Sequence, residues 1–88
     1  MVDSQALCAL DGIPARSGGY VVTIRGGRSV VSRLAALGFL PGARTIMVQN
    51  YGRGPLIVEL RQTRIALGRG EARCIVVQRA GAPMENAA

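Results

Sequence analysis

Glycine placement constrains this chain more than any other feature. Twelve of its 88 residues are glycine, and they interrupt nearly every stretch that might otherwise grow into a long helix or strand. The longest near-apolar run, Leu34 to Leu40, holds seven residues and contains Gly38; a membrane-spanning helix needs about 20. The chain is therefore expected to build a single small domain from short elements joined by tight turns. Large side chains are scarce as well. Tyr20, Phe39 and Tyr51 are the only aromatic residues, so the core must come from Val, Ile, Leu and Ala, within a hydrophobic fraction of 49%.

One segment reads clearly as helix, over about Val30–Leu37. Ser29 is placed to act as its N-cap, and Val30, Leu34 and Leu37 recur at i, i+4 and i+7 as a buried stripe. Gly38 then stands where a left-handed residue closes a helix. Phe39 follows, able to fold back on Leu34, and Pro41 prevents the helix from resuming. Elsewhere β-branched residues dominate. Tyr20–Ile24 reads as a strand ended by Gly26-Gly27. Leu56–Leu60 alternates with Leu56, Val58 and Leu60 inward. A tight turn at Arg61-Gln62 leads into Thr63–Leu67, with Ile65 and Leu67 inward, and Cys74–Arg79 closes the sheet. Thr45–Gln49 is also a strand, but Ile46 and Val48 on one face and Met47 on the other leave its register open. Leu7, Cys8 and Leu10 suggest a short helical turn capped by Ser4. Asp11–Gly19 reads as loop, and Gly68–Arg73 as a 3₁₀ turn. Mainly β, with about five strands and one inserted helix, the pattern fits a small, partly open barrel. Residues 1–79 form the domain, and 80–88, small and polar, are expected to be a disordered tail.

The charged residues narrow the function. Eleven arginines, no lysine and five acids give a net charge of +6, which favours an acidic partner. Histidine is absent, which removes Ser-His-Asp and Cys-His catalysis and the acid–base group best matched to neutral pH. Asp3, Asp11, Glu59, Glu71 and Glu85 supply no close carboxylate pair. Cys8 and Cys74 stand 66 positions apart, too few soft ligands for a structural zinc site and no disulfide framework. They read as small core residues of a reduced, cytoplasmic protein. Gly52-x-Gly54 and Gly68-x-Gly70 lack the spacing and the lysine of nucleotide-binding loops. Arg25-Gly26-Gly27-Arg28 is more simply a turn than an RNA-binding element. The spread of the arginines and the dearth of stacking aromatics weigh against an arginine-rich nucleic-acid-binding module, which stands as the alternative reading.

In order, these signals resemble a known family. Arg33-Leu34-Ala35-Ala36-Leu37-Gly38-Phe39-Leu40-Pro41-Gly42 is similar to the RL-x-x-LG-x-x-PG signature of FeoA, the small proteins of bacterial ferrous-iron transport. Val22-Thr23-Ile24-Arg25-Gly26-Gly27 resembles that family's first strand and turn. Gly54-Pro55-Leu56, Arg64-Ile65-Ala66-Leu67 and Ala72-Arg73-Cys74-Ile75-Val76-Val77 resemble its later strands. The resemblance spans Leu7 to Gln78. Two departures are visible: Gly52-Arg53-Gly54-Pro55 keeps only the proline of a Leu-Gly-Asp-Pro turn, and Gln62 replaces a common glycine.

The resemblance implies an SH3-like barrel without enzymatic activity. It also implies association with a FeoB-type ferrous-iron permease through that protein's cytosolic G-protein region. No cofactor is expected beyond weak surface binding of divalent metals, and a homo-oligomer is left open. For the partner surface, the expectation falls on and beside the helix, at Arg28, Arg33, Gly38 and Phe39. Arg33 has a competing structural reading, its stem lying along the barrel.

Overall fold

The computed structural model describes residues 7–80. Six strands form one antiparallel sheet: β1 (Leu7–Ala9), β2 (Gly18–Ile24), β3 (Arg44–Gln49), β4 (Leu56–Leu60), β5 (Thr63–Leu67) and β6 (Ile75–Arg79). Their order is β1-β6-β2-β3-β4-β5. The sheet wraps a single core, to which β2 through β6 all contribute. Since β1 and β5 do not pair with each other, the barrel stays partly open, an SH3-like arrangement. Helix α1 (Arg28–Leu37) lies in the connection between β2 and β3, and α2 (Arg69–Cys74) between β5 and β6.

Two glycines allow the sheet to close around β2. A Cβ on Gly18 would stand 2.6 Å from the carbonyl oxygen of Thr45 on β3. One on Gly19 would stand 2.7 Å from that of Gln78 on β6. Neither distance is tolerable, so only glycine lets the three strands approach this closely. Register shifts after Val21 in β2 and after Met47 in β3 bend both strands as β-bulges do.

The end of α1 is built as its sequence implies. Gly38 adopts φ 112°; its N–H donates to Ala35 O at 2.9 Å, and Phe39 N–H donates to Leu34 O at 3.2 Å. This pair of bonds is a Schellman ending, with Leu34 and Phe39 both fully buried beneath it. Leu56, Val58, Leu60 and Leu67 are buried as their alternation requires, and Ile65 packs half-buried against them. In β3 the open register resolves with Thr45 and Met47 inward.

Several expectations are corrected. Leu7–Ala9 is a strand, not a helical turn, because the neighbouring edge of β6 offers it a ladder; a 3₁₀ turn follows only at Leu10–Gly12. Leu10 of that turn is buried, and Ile13 enters the core from the Asp11–Gly19 segment expected as loop. The proposed cap Ser4 and residues 81–88 of the tail lie outside the described residues. Helix α1 starts two residues early, with Gly27 as N-cap in place of Ser29: Gly26, at φ 122°, reverses the chain straight out of β2. Leu37 is 46% exposed, because Phe39 folds back into the space the stripe assigned to it. Gly68–Arg73 is not a 3₁₀ turn. The segment forms a short α-helix, which also takes Cys74 from the closing strand. The described residues hold six strands, the short β1 joining the about five expected.

Candidate interaction surface

The strand-to-helix reversal sets the position of α1. Arg25 N–H donates to Cys74 O at 2.8 Å, and Val31 N–H to Gly27 O at 3.0 Å, so the turn is tied to both α2 and α1. Arg28, at the first helical position, is exposed. Arg33 lies one and a half turns on and, though still exposed, reaches α2. Its Nη2 donates to Glu71 Oε2 at 2.7 Å and its Nε to the same oxygen at 3.2 Å. Glu71 Oε1 accepts the Gly68 N–H at 3.1 Å. That backbone bond first, and the Arg33 bond second, hold the Glu71 carboxyl below its ordinary range.

The four residues expected at the partner surface are thus separated by role. Arg28 is an exposed cation at the start of α1. Arg33 ties two helices together through a carboxylate of its own chain. Gly38 supplies the left-handed closure, and Phe39 is a core residue, since the closure drives its ring inward. The apolar side chains that do face outward at this end are Leu37 and Leu40, both nearly half exposed. Leu40 borders a groove of about 250 Å³ between β2 and α1, lined also by Thr23, Ile24, Val31, Ala35 and Pro41 with the buried Phe39. Exposed apolar atoms beside a capped helix suit recognition of another surface.

Asn50 organises the opposite end and was not singled out by the sequence reading. Its Nδ2 donates to the carbonyl oxygens of Asp11 (3.1 Å) and Ile13 (2.9 Å). Its Oδ1 accepts from Gly52 N–H and from Arg69 Nη2, each at 2.9 Å. All four hydrogen-bonding positions of the amide are used. The bond to Gly52 is an Asx turn, so Asn50-Tyr51-Gly52 carried the signal. Arg69 Nε also donates to Gly54 O at 3.2 Å. The glycines of both G-x-G pairs therefore serve turns and the start of a helix.

Among the described residues no group of three or more His, Cys, Asp or Glu converges on one point. Burial, the largest influence on it, pushes the Cys8 thiol up from its ordinary pKa, against the thiolate a nucleophile needs. Cys74 Sγ donates to Gly70 O at 3.4 Å. No helix among the described residues is long and apolar enough to cross a membrane.

The fold has counterparts in known proteins. The chain is similar to an iron uptake regulatory protein, FeoA, over 85% of its own length and all of that chain (28% identity, TM-score 0.81). It is also similar to the Stenotrophomonas maltophilia FeoA (31% identity, TM-score 0.72), covering 80% of this chain and 88% of that one. That protein was solved with zinc and is described as a prokaryotic SH3 domain protein and a candidate ferrous-iron transport activating factor. A manganese-dependent transcriptional repressor shares the fold at 18% identity (TM-score 0.77), over 91% of this chain and 45% of that one. No curated protein sequence matches significantly. The FeoA domain model matches residues 8–79, which includes every helix and all but the first residue of the sheet, and the chain belongs to the FeoA family.

Proposed function

We propose that this chain is a non-enzymatic accessory of bacterial ferrous-iron transport, acting in the cytoplasm by binding the cytosolic G-protein region of a FeoB-type permease. The match of the FeoA model to residues 8–79 carries this reading. The absence of histidine from the sequence, and of any cluster of three or more Cys, Asp or Glu among the described residues, supports a role by contact for this chain. It would shift its partner between states by binding one better than the other. The exposed Arg28 and Leu37 of α1, with Leu40 on the groove beside it, are the residues assigned to that contact. Any divalent metal is held weakly, at exposed carboxylates, because the histidine and thiolate ligands that borderline ions favour are missing or half-buried.

Titration calorimetry of the full chain against the purified cytosolic region of the permease tests this. Binding that Leu37→Asp and Leu40→Asp weaken, with thermal stability kept, is the expected result. Lack of binding at any tested salt, with tight binding of nucleic acid instead, would favour the other reading.

A further inference from the structure

β5 ends the sheet, and its outer side has no strand beside it among the described residues. A two-residue turn joins it to β4, so the closing pair Leu60 and Thr63 exchanges hydrogen bonds, as do Val58 with Ile65 and Leu56 with Leu67. By the same alternation, the N–H and C=O of Arg64 and Ala66 point away from β4. No backbone group among the described residues meets them. Both residues are exposed, and Ile65, though aimed inward, is only half-buried because the open edge leaves it uncovered.

Charge marks this edge further. Arg61 stands at the turn that opens β5, and Arg64 is the second residue of the strand. Arg53 lies in the loop held against the far end of the strand, where Gly54 O accepts from Arg69 Nε. The one acidic residue on β4 or β5 is Glu59, opposite Arg64 and half-buried. On α2, the Glu71 carboxylate is already engaged by Gly68 and Arg33.

We propose that the free edge of β5 docks an extended acidic segment of a protein partner, which adds to the sheet as a seventh strand. The inference rests on the reading that this chain works by binding another protein. Four main-chain groups, from Arg64 and Ala66, supply the ladder. Acidic side chains of the incoming strand meet Arg64, Arg61 and Arg53, and the alternate apolar ones cover Ile65. A second copy of the chain fits poorly, since pairing β5 with itself sets arginines against arginines. A nucleic-acid strand lacks the alternating donors and acceptors that this edge demands, and no aromatic residue stands on β5 for a base to stack on.

The test uses isotope-labelled full chain at low salt, where charge pairing is least screened. The probe is a decapeptide of alternating glutamate and valine. Its binding should protect the Arg64 and Ala66 amides from hydrogen exchange and leave those of α1 unchanged. Arg64→Glu should weaken the peptide roughly tenfold, and a lysine–valine decapeptide should not bind. Protection appearing elsewhere, protection arising without peptide as the protein dimerises, or equal protection by single-stranded DNA would each overturn the proposal. If the permease's cytosolic region binds but leaves both amides unprotected, the edge assignment fails and the transport reading stands. If the peptide protects them while the permease does not bind, the reverse holds.

Discussion

Arg33 on α1 and Glu71 on α2, 38 positions apart, share a charge-assisted contact of 2.7 Å, and the same carboxylate caps the backbone at Gly68. One side chain thereby fixes the start of the second helix and holds it against the first. The pair is partly exposed, with side-chain accessibilities of 52% and 32%, so solvent screens it and its energetic worth is modest. Its main consequence is geometric. An arginine that could have met a partner is tied, though half exposed, to a carboxylate of its own chain, and Arg28 is the other exposed cation of α1.

Glu71→Gln should lower stability at neutral pH by about 0.5 kcal/mol, the range of exposed ion pairs. Because the folded-state carboxyl is held below its ordinary range, its contribution is fully present above the unfolded-state value. It fades as pH falls through the lower, folded-state value. Urea midpoints for the two proteins should therefore differ at pH 7 and converge in strongly acidic buffer. A gap that persists below about pH 2 would assign the effect to packing instead.

Gly19→Ala should cost about 2 kcal/mol or more, since the new methyl meets the Gln78 carbonyl oxygen, a backbone atom that cannot rotate aside. Gly18→Ala should behave alike against Thr45. By contrast, Gly70→Ala, with nothing within 4 Å of the added carbon, should leave the melting temperature within a few degrees of wild type. Thermal melts of the three variants rank them directly.

Gln62→Gly should stabilise the protein by about 0.5–1 kcal/mol. The β4–β5 turn places Arg61 at φ 57° and Gln62 at φ 68°, a left-handed pair that side chains disfavour and in which glycine is usual at the second position. The urea midpoint should rise with an unchanged slope. An unchanged midpoint would mean that neighbouring contacts offset the backbone relief.

Arg28→Glu should raise stability slightly, by about 0.5 kcal/mol, while weakening the permease contact. The first turn of α1 holds no acidic residue, and a cation there opposes the helix dipole. Gaining stability while losing binding would identify Arg28 as a residue kept for recognition. Arg33→Glu is the less informative variant, because it sets a like charge beside Glu71 and so lowers stability as well.

Local signals in the chain account for much of the fold. The stop at Gly38-Phe39-Leu40-Pro41 needs only a left-handed residue, a returning apolar group and a missing N–H, all specified within four positions. The alternation of Leu56, Val58 and Leu60 fixes which face of β4 is buried, because one face of a strand must be apolar. Tertiary structure decided what depends on distant partners. Thr45–Gln49 could not choose its own register; Met47 turned inward once β2 and β4 enclosed β3. Leu7–Ala9, too short to specify a state alone, became a strand because β6 had an edge to pair. Leu37 lost its place in the core to Phe39, and Arg33 its freedom to Glu71. Both outcomes rest on distances between segments that helical periodicity does not encode.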